Sequence, residues 1–354
     1  MHWKIYDDIP PDKAPAYKEF LLRHESTLFY QSLSYHRLLK KHLDAQSVYF
    51  TCWHDDELIA TMPFLYKSAE QGTVFNSLPY YGSNGGFVIS RTLPVQEQNR
   101  LREDCLREIT GYARSLSAVL VTIVCNPFDP ESENWLEQHF APDYTDQRIG
   151  QITRLPEAVS EEGVELMHMF SDPRPRNIRK ALKSGITFQI HHDAGALGFL
   201  YKVHEKNIQD IGGLPKREAF FTLIPDFFGP KEYAVFIAYQ GKTPVAGLLL
   251  FYFNRTVEYF TPAILYEYRN LQPLSLLIFE AMKDAVKRGF LYWNWGGTWL
   301  TQKGVYDFKK RWGAVDKPYR YFTKVLDKSV LQLPRQQLMD TFRNFYLFPF
   351  NTQA

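Results

Sequence analysis

Two charged residues in the second half of the sequence have side chains suited to chemistry. Lys309 stands in GVYDFKKRWGA, three residues before Trp312, and a lysine beside an apolar anchor can reach negative charge on a reactant. Glu258 lies inside the aromatic run TVEYF, where a carboxylate could act as a general base within hydrogen-bonding reach of the proton it removes. Two alternatives stay open. Lys309 could be a solvated lysine in a turn, with its register against Lys310 and Arg311 unsettled, and strand alternation could point Glu258 at solvent.

A strand, a short polar loop and a helix follow one another from Thr256 and form a potential anion site. The run TVEYFTPAI (Thr256–Ile264) predicts the strand, Arg269 and Asn270 lie in the loop, and the helix begins at Pro273. Backbone N–H groups of a first helical turn lack partners within the helix and attract negative charge. Gln272 and Pro273 stand where glycine would allow closer phosphate approach, so an ordinary strand-to-helix connection is the alternative.

Two further segments are rich in groups that bind ligands. The loop from Tyr80 to Gly86 contains three glycines, which permit close ligand approach. Lys216 and Arg217 follow the flexible GGLP and could contact phosphates. A plain turn and solvated surface charge are the alternatives. The residues predicted to bind the second reactant are Tyr80, Tyr81, Ser83, Asn84, Lys216 and Arg217.

Aromatic and basic clusters have both a structural and a functional interpretation. Trp293 and Trp295 share one face of a strand that continues into Gly296 and Gly297. Core packing is the default for such rings, and a wall for a sugar or nucleoside is the alternative. The helix-like RPRNIRKALKSG (Arg174–Gly185) is strongly basic. It could meet an RNA backbone or a membrane surface, although most basic helices do neither.

The elements that must position these residues occur twice. Two β-rich runs around a short turn, VYFTCW with LIATMPFLY and EYAVFIAY with TPVAGLLLFYF, predict two hairpins. Each is followed by a helix-length segment and an apolar strand, and the helix from Pro273 to Gly289 carries a complete apolar stripe. Such a repeat indicates duplicated α/β domains. We expect domains at 1–165 and 166–325, with an extension at 326–354.

Composition limits the classes of function. The 354 residues are 45% hydrophobic and 23% charged, which predicts a folded protein of two domains. A net charge of +2 gives no general attraction for duplex DNA. No apolar run is long enough to span a membrane, and the N-terminus lacks a secretory pattern. We therefore expect a cytoplasmic protein, with contact to the inner face of the membrane as an option. The three cysteines are far apart and predict neither a disulfide framework nor a metal site.

Several segments together resemble the FemAB family of aminoacyltransferases and related bacterial surface-polysaccharide acyltransferases. The matching pieces run in order along almost the whole chain. They are FYQSLSYHRLL, SLPYYGSNGG, NIRKALKSG, YRNLQPLSLLIFEAMKDAVKRG, FLYWNWGGT, GVYDFKKRWGA and PYRYF. Each piece alone is weak, whereas the ordered set is specific for the superfamily and poorly specific for substrate.

This resemblance implies a fold and a reaction. The fold is α/β (α+β), with two tandem GNAT-like domains, each a twisted mixed sheet flanked by helices, and a C-terminal segment that packs back across them. The first domain would bind the acceptor and the second domain would bind the donor. The family hallmark FKxxWG, which lies in the second domain, includes Lys309. An acyl-CoA donor would place its pyrophosphate at the helix start. The predicted donor-binding residues are Arg269, Asn270, Gln272, Trp295 and Gly296. Transfer would be direct and sequential, without a covalent enzyme intermediate.

Two departures from the family pattern and three hypotheses follow. The helical arm of some tRNA-dependent members has no counterpart, and Asn294 stands where relatives often carry aspartate.

The leading hypothesis is N-acylation of a small-molecule or glycan-linked amine in a cell-envelope or polysaccharide precursor. The donor would be acyl-CoA or aminoacyl-tRNA as co-substrate, without a permanently bound cofactor; the missing arm and near-neutral charge favour acyl-CoA. The others are tRNA-dependent transfer to a peptidoglycan precursor and a catalytically inactive glycan- or nucleotide-binding module.

Overall fold

Two mixed α/β units make up the part of the chain that the computed structural model describes, residues 1–80 and 85–350. Unit 1 contains residues 1–149 and the chain from Pro318 onward, and unit 2 contains residues 150–317. The sequence predicts these boundaries at 165/166 and 325/326. The units divide at 149/150 and 317/318, and Tyr321–Val325 pair with residues 120–124 of the first unit. The chain from Pro318 onward is therefore grouped with unit 1.

Unit 1 contains a mixed sheet with helices between its strands. Numbered along the chain, its described strands lie side by side in the order first, second, third, fourth, sixth and thirteenth. The fifth strand pairs with the third. The fourth and sixth are parallel neighbours. The elements are β1 (His2–Tyr6), α1 (Ala14–Arg23), α2 (Leu33–Leu43), β2 (Gln46–His54), β3 (Glu57–Ala69), β4 (Gly72–Asn76), β5 (Val88–Ile89), α3 (Val95–Ser115), β6 (Ala118–Val124), α4 (Pro130–His139), the first part of β7 (Tyr144–Arg154), and, near the end of the chain, β13 (Val315–Val325) and α11 (Arg335–Thr341).

Unit 2 contains the same kind of sheet, which residues 150–154 of β7 join at one side. The elements are α5 (Val164–Met169), α6 (Arg174–Lys183), β8 (Ile186–His191), α7 (Ala194–Gln209), α8 (Glu218–Phe227), β9 (Tyr233–Gln240), β10 (Thr243–Phe253), β11 (Thr256–Ile264), α9 (Pro273–Lys287), β12 (Tyr292–Thr298) and α10 (Lys303–Lys310). The strand order is β7-β12-β11-β10-β9-β8; β11 and β12 are parallel, β10 is antiparallel to β11 and to β9, and β9 is antiparallel to β8.

The two units repeat one order of elements, as the sequence predicts. β1, two helices, the hairpin β2–β3, β4, α3 and β6 in unit 1 correspond to β8, α7, α8, the hairpin β9–β10, β11, α9 and β12 in unit 2. In unit 1, β6 follows the long helix and pairs in parallel with β4, and in unit 2, β12 follows the long helix and pairs in parallel with β11. Such a crossover needs a helix to return the chain to the same edge of the sheet. This architecture is the predicted pair of tandem α/β domains.

Helix α9 covers one face of the sheet in unit 2 with the predicted apolar stripe. Pro273 stands at its first position, where the missing N–H costs nothing, and Gly289 follows with φ +83°, which glycine adopts without strain. Six stripe residues are buried and Leu274 is half-buried. The six are Leu277, Ile278, Ala281, Met282, Ala285 and Val286. Within the described residues, no helix combines the length and apolarity needed to cross a membrane.

Candidate active site

The two parallel strands at the centre of unit 2 separate part-way along their length. β11 and β12 pair only from Thr256–Tyr292 to Glu258–Asn294, although β11 continues to Ile264 and β12 to Thr298. Two residues beyond Glu258, Phe260 is an extra residue in β11, because the register against β10 shifts there. A bulge bends its strand and raises the local twist. The last paired residues, Glu258 and Asn294, therefore mark the point where the strands part.

Glu258 is withdrawn from solvent at this point. Its side chain is only 2% exposed, and its Oε1 accepts a hydrogen bond from Asn294 Nδ2 at 3.1 Å. The alternative that strand alternation turns Glu258 toward solvent is wrong, because both faces of the strand are covered at this residue. A buried carboxylate requires polar partners, and Asn294 supplies one of them.

Asn294 links Glu258 to the end of β12. Its Oδ1 accepts the backbone N–H of Gly296 at 2.9 Å, and its side chain is 1% exposed. Gly296 has φ +70°, and no atom lies within 4 Å of the position where a Cβ would be. The left-handed backbone there favours glycine, and the space beside it is open. In the sequence, Asn294 stands out only because relatives often carry aspartate at this position.

Lys309 closes the other end of this arrangement. It lies on α10, is 6% exposed, and its Nζ donates to Gly296 O at 3.2 Å, Gly297 O at 3.3 Å and Thr298 Oγ1 at 2.8 Å. An ammonium has three N–H donors, so all three can be satisfied here. Burial lowers the pKa of Lys309 to about 8. The solvated turn is excluded, because the flanking Lys310 and Arg311 are the exposed residues of this segment.

A continuous hydrogen-bonded chain thus joins the two residues that the sequence predicts to be catalytic. It runs from Glu258 through Asn294 and Gly296 to Lys309. The sequence missed its continuation: Thr298 Oγ1 donates to Gln151 Oε1 at 3.1 Å, and Gln151 Nε2 donates to the carbonyl of Tyr306 at 3.2 Å. Nothing in the local sequence marks Gln151, since it lies far from the other residues of the chain in sequence.

Trp295 lies in the hydrophobic core of unit 2. It is 3% exposed, its ring lies 4.8 Å from that of Tyr259 and 5.8 Å from that of Trp293, and its indole N–H donates to Thr153 Oγ1 at 2.9 Å. The structure therefore agrees with core packing for Trp293 and Trp295. Trp299, beyond the strand, is 52% exposed.

The helix start predicted to bind an anion lies at the far end of β11 from Glu258. Six residues separate Glu258 from Ile264, which is roughly 20 Å of extended strand. Gln272 has φ +61° and no side chain caps the first turn of α9. Arg269 and Asn270 are exposed beside it, and the Arg269 guanidinium lies over the ring of Tyr266 at 3.7 Å. These residues lie beside the positive end of the α9 dipole.

The described residues predicted to bind the second reactant belong to both units. Lys216 is half-buried in unit 2 with Nζ 5.3 Å from the ring centroid of Phe260, the bulge residue, and burial lowers its pKa to about 8. Arg217 is exposed directly before α8. Tyr80, in unit 1, has φ +71° and donates its backbone N–H to the carbonyl of Asn344. The remaining three lie outside the described residues: Tyr81, Ser83 and Asn84.

Comparisons with known proteins agree with this architecture. Residues 175–310 match the acetyltransferase (GNAT) domain family. The fold is similar to the crystal structure of FemX, with 15% identity, coverage of 94% of this chain and 99% of that chain, and a TM-score of 0.72. It is also similar to L-PGS from Bacillus licheniformis, with 11% identity, coverage of 96% and 97%, and a TM-score of 0.54.

A third similar structure is a tandem GNAT protein from the clavulanic acid biosynthesis pathway. It shares 6% identity over 92% of this chain and 98% of that chain, with a TM-score of 0.53. No curated protein sequence matches the chain significantly. The solved structures show the fold alone at these identities, and the fold is the predicted tandem one.

Proposed function

We propose that this protein, an acyltransferase whose residues 175–310 belong to the GNAT domain family and whose chain has a FemAB-like fold, transfers an acyl or aminoacyl group directly to an amine. The observation that carries the proposal is the separation of β11 and β12 beyond Glu258 and Asn294. It leaves room beside Gly296 for an extended donor that would run along β11 toward the helix start at Pro273.

The reacting groups would meet where the strands part. The neutral amine attacks the carbonyl carbon of the donor, its proton passes to Glu258, and the donor's leaving group departs with the bonding electrons. The positive charge of Lys309, held beside Gly296 and Gly297, stabilises the negative charge that develops on the carbonyl oxygen. Asn294 positions the carboxylate of Glu258.

Direct transfer is supported by the state of the three cysteines. All are buried free thiols. Burial raises the pKa of Cys52 to about 11 and holds the pKa values of Cys105 and Cys125 well above the ordinary value. Because the thiolate is the reactive form, none of them is suited to carry the acyl group.

The helix N-terminus at Pro273 favours a donor that carries phosphate. Backbone N–H groups at such a terminus bind phosphate oxygens, and the exposed Arg269 adds positive charge beside them. Acyl-CoA fits this arrangement, and its acceptor would be the amine of a cell-envelope or polysaccharide precursor. The second candidate donor is an aminoacyl-tRNA, which the resemblance of the sequence segments to the FemAB family implies.

The donor test compares the two co-substrates on the full chain. Wild-type protein is incubated with acyl-CoA thioesters and a panel of amino-sugar nucleotides, and release of free thiol is measured. Charged tRNA is tested in parallel for binding and transfer at several salt concentrations. Thiol release that requires the amine supports acyl-CoA, and tRNA binding that weakens steeply with salt supports the second donor. Failure of both donors to support transfer would reject the proposed function.

A further inference from the structure

Arg174, the first residue of α6, is a buried cation without an acidic partner. Its side chain is 8% exposed, and its guanidinium carbon lies 4.4 Å from the ring centroid of Phe308 and 5.3 Å from that of Trp312. Its Nε is buried and has no hydrogen-bond partner. Within the described residues no carboxylate forms an ion pair with this guanidinium. Buried charges in proteins are normally paired, so this one calls for an explanation.

The surroundings of Arg174 are positive. Burial and, to a smaller extent, the charge of Arg311 together lower its pKa to about 10, and Tyr259 acts in the opposite direction. Arg311 is exposed and is held next to the start of α6, since its carbonyl accepts the backbone N–H of Ser171 at 3.1 Å. No side chain caps the N-terminus of α6, whose dipole adds to the positive potential. The Arg174 guanidinium, the charge of Arg311 and the helix terminus therefore all contribute positive potential to the same region.

The aromatic neighbours explain only part of this arrangement. Phe308 and Trp312 offer their faces to the guanidinium, and such contacts attract a cation. They do not supply hydrogen-bond acceptors for its N–H groups, and they do not account for a second arginine at the same place. A planar guanidinium with free donors is the group that proteins use for bidentate binding of phosphate.

We propose that Arg174, assisted by Arg311, binds a phosphate group of a substrate. The site lies beside the proposed reaction centre, because Phe308, over which Arg174 lies, directly precedes Lys309 on α10. That the phosphate belongs to a reactant of acyl transfer rests on the proposed function. The anion site itself rests only on the geometry of Arg174 and Arg311. The phosphate could come from the donor or from a nucleotide-linked acceptor.

Calorimetric titration of the full chain tests the site directly. The probes are inorganic pyrophosphate, coenzyme A and a nucleoside-diphosphate-linked amino sugar. Wild-type protein is compared with Arg174→Gln, with Arg311→Gln, and with Arg179→Gln, an exposed arginine on the same helix. We expect Arg174→Gln to weaken pyrophosphate binding at least tenfold, Arg311→Gln to weaken it severalfold, and Arg179→Gln to leave it unchanged. The organic probe that loses the same factor identifies the source of the phosphate.

Several outcomes would overturn the proposal. They are absence of pyrophosphate binding by the wild type, unchanged binding by Arg174→Gln, and an equal loss in Arg179→Gln. Pyrophosphate binding with the expected pattern but no transfer from any donor would reject the proposed function and keep the anion site. Transfer with an unchanged KM for every substrate in Arg174→Gln would keep the function and reject the site.

Thermal unfolding separates a binding role from a structural one. Replacing an unpaired buried cation by an apolar side chain of similar length does not destabilise a protein as breaking an ion pair does. We therefore expect Arg174→Met to unfold at or above the wild-type temperature without ligand, and pyrophosphate to raise the Tm of the wild type alone. An Arg174→Met variant that unfolds at a lower temperature, while pyrophosphate still protects it, would show a structural role and contradict the proposal.

Discussion

The ammonium of Lys309 and the carboxylate of Glu258 are both buried, and two residues of β12 connect them. Asn294 uses its amide N–H for Glu258 and its amide oxygen for Gly296, whose carbonyl in turn accepts from Lys309. A chain of this kind fixes the position of each member, because moving one leaves a buried polar group unsatisfied. The proposed chemistry depends on that fixed geometry.

Replacing Glu258 by glutamine should remove a base without removing the side chain that Asn294 contacts. The glutamine oxygen can still accept from Asn294, so the fold should persist. The transfer rate should fall by roughly a hundredfold or more, the usual contribution of general base catalysis. Initial rates and thermal unfolding measure the two effects, with the exposed Glu162→Gln as the control. A rate within a few fold of the wild type would exclude Glu258 as the base.

The lowered pKa of Lys309 makes a prediction about stability. Its pKa is about 8 in the folded protein and 10.5 in the unfolded chain. Between these values the unfolded state binds more protons, so this residue adds stability as the pH rises from 8 to 10.5, up to about 3 kcal/mol. The pKa of Lys216 is lowered in the same direction. The gain in unfolding free energy from pH 7.5 to 10 should therefore be larger in the wild type than in Lys309→Met.

Denaturant unfolding of both proteins at several pH values gives this difference. Parallel curves for the wild type and Lys309→Met would mean that the Lys309 ammonium is not held in a buried site.

The sequence suggests Glu258 and Lys309 as candidates, whereas their burial could not be predicted from it. A glutamate in a strand points to one face or the other, and which face is covered depends on helices distant in the chain. Lys309 and Lys310 have the same side chain, and only the packing of α10 shows that Lys309 is buried and Lys310 is exposed.

At the scale of elements, the positive φ of Gly296 ties the backbone of β12 to the site. Its N–H donates a hydrogen bond to Asn294 Oδ1, and its carbonyl accepts a hydrogen bond from Lys309 Nζ. An alanine there meets no neighbouring atom but must adopt a left-handed backbone, which costs about 1 kcal/mol. We expect Gly296→Ala to lose this much unfolding free energy and a larger share of its activity.

Gly198 provides a matched control inside helix α7, where a Cβ also meets no atom within 4 Å. Gly198→Ala should stabilise the protein by about 0.5–1 kcal/mol and leave activity unchanged. Denaturant unfolding and initial rates compare the two variants. Full activity in Gly296→Ala would show that this backbone position is not part of the reaction centre.

The sequence predicts elements better than it predicts their irregularities. The apolar periodicity and Pro273 predict a helix from Pro273 to Gly289. The observed helix α9 begins at the same residue and ends two residues earlier, at Lys287. The bulge at Phe260 and the separation of β11 from β12 depend on the register of three strands at once. Local preference contains no such information, so the feature that defines the site was not predictable from the sequence.

At the scale of the whole molecule, duplication was predictable but the return of the chain was not. The local sequence of each copy predicts the same order of elements. The pairing of β13 with β6 joins Tyr321 to Val124 across almost 200 residues of chain, and no local pattern indicates it. Residues from Pro318 onward therefore complete unit 1.

A chain that ends at Lys317 should lose the cooperative unfolding of unit 1. It lacks the strand beside β6, including the buried Tyr319, Phe322 and Thr323, and exposes the edge of a hydrophobic sheet. Circular dichroism and thermal unfolding should show a lost or broadened transition and a tendency to aggregate. An unchanged unfolding curve would mean that β13 is not an integral part of unit 1.

The central claim is that the buried lysine at the end of β12 takes part in acyl transfer, and a paired substitution tests it most directly. Lys309→Met removes the charge held by Gly296, Gly297 and Thr298. Lys310→Met removes the neighbouring exposed charge, which pairs with Asp316. The measurement is the initial rate of amine acylation under the donor conditions that support wild-type turnover. The account predicts a loss of at least a hundredfold for folded Lys309→Met and nearly wild-type rates for Lys310→Met. Equal rates in the two variants would contradict it.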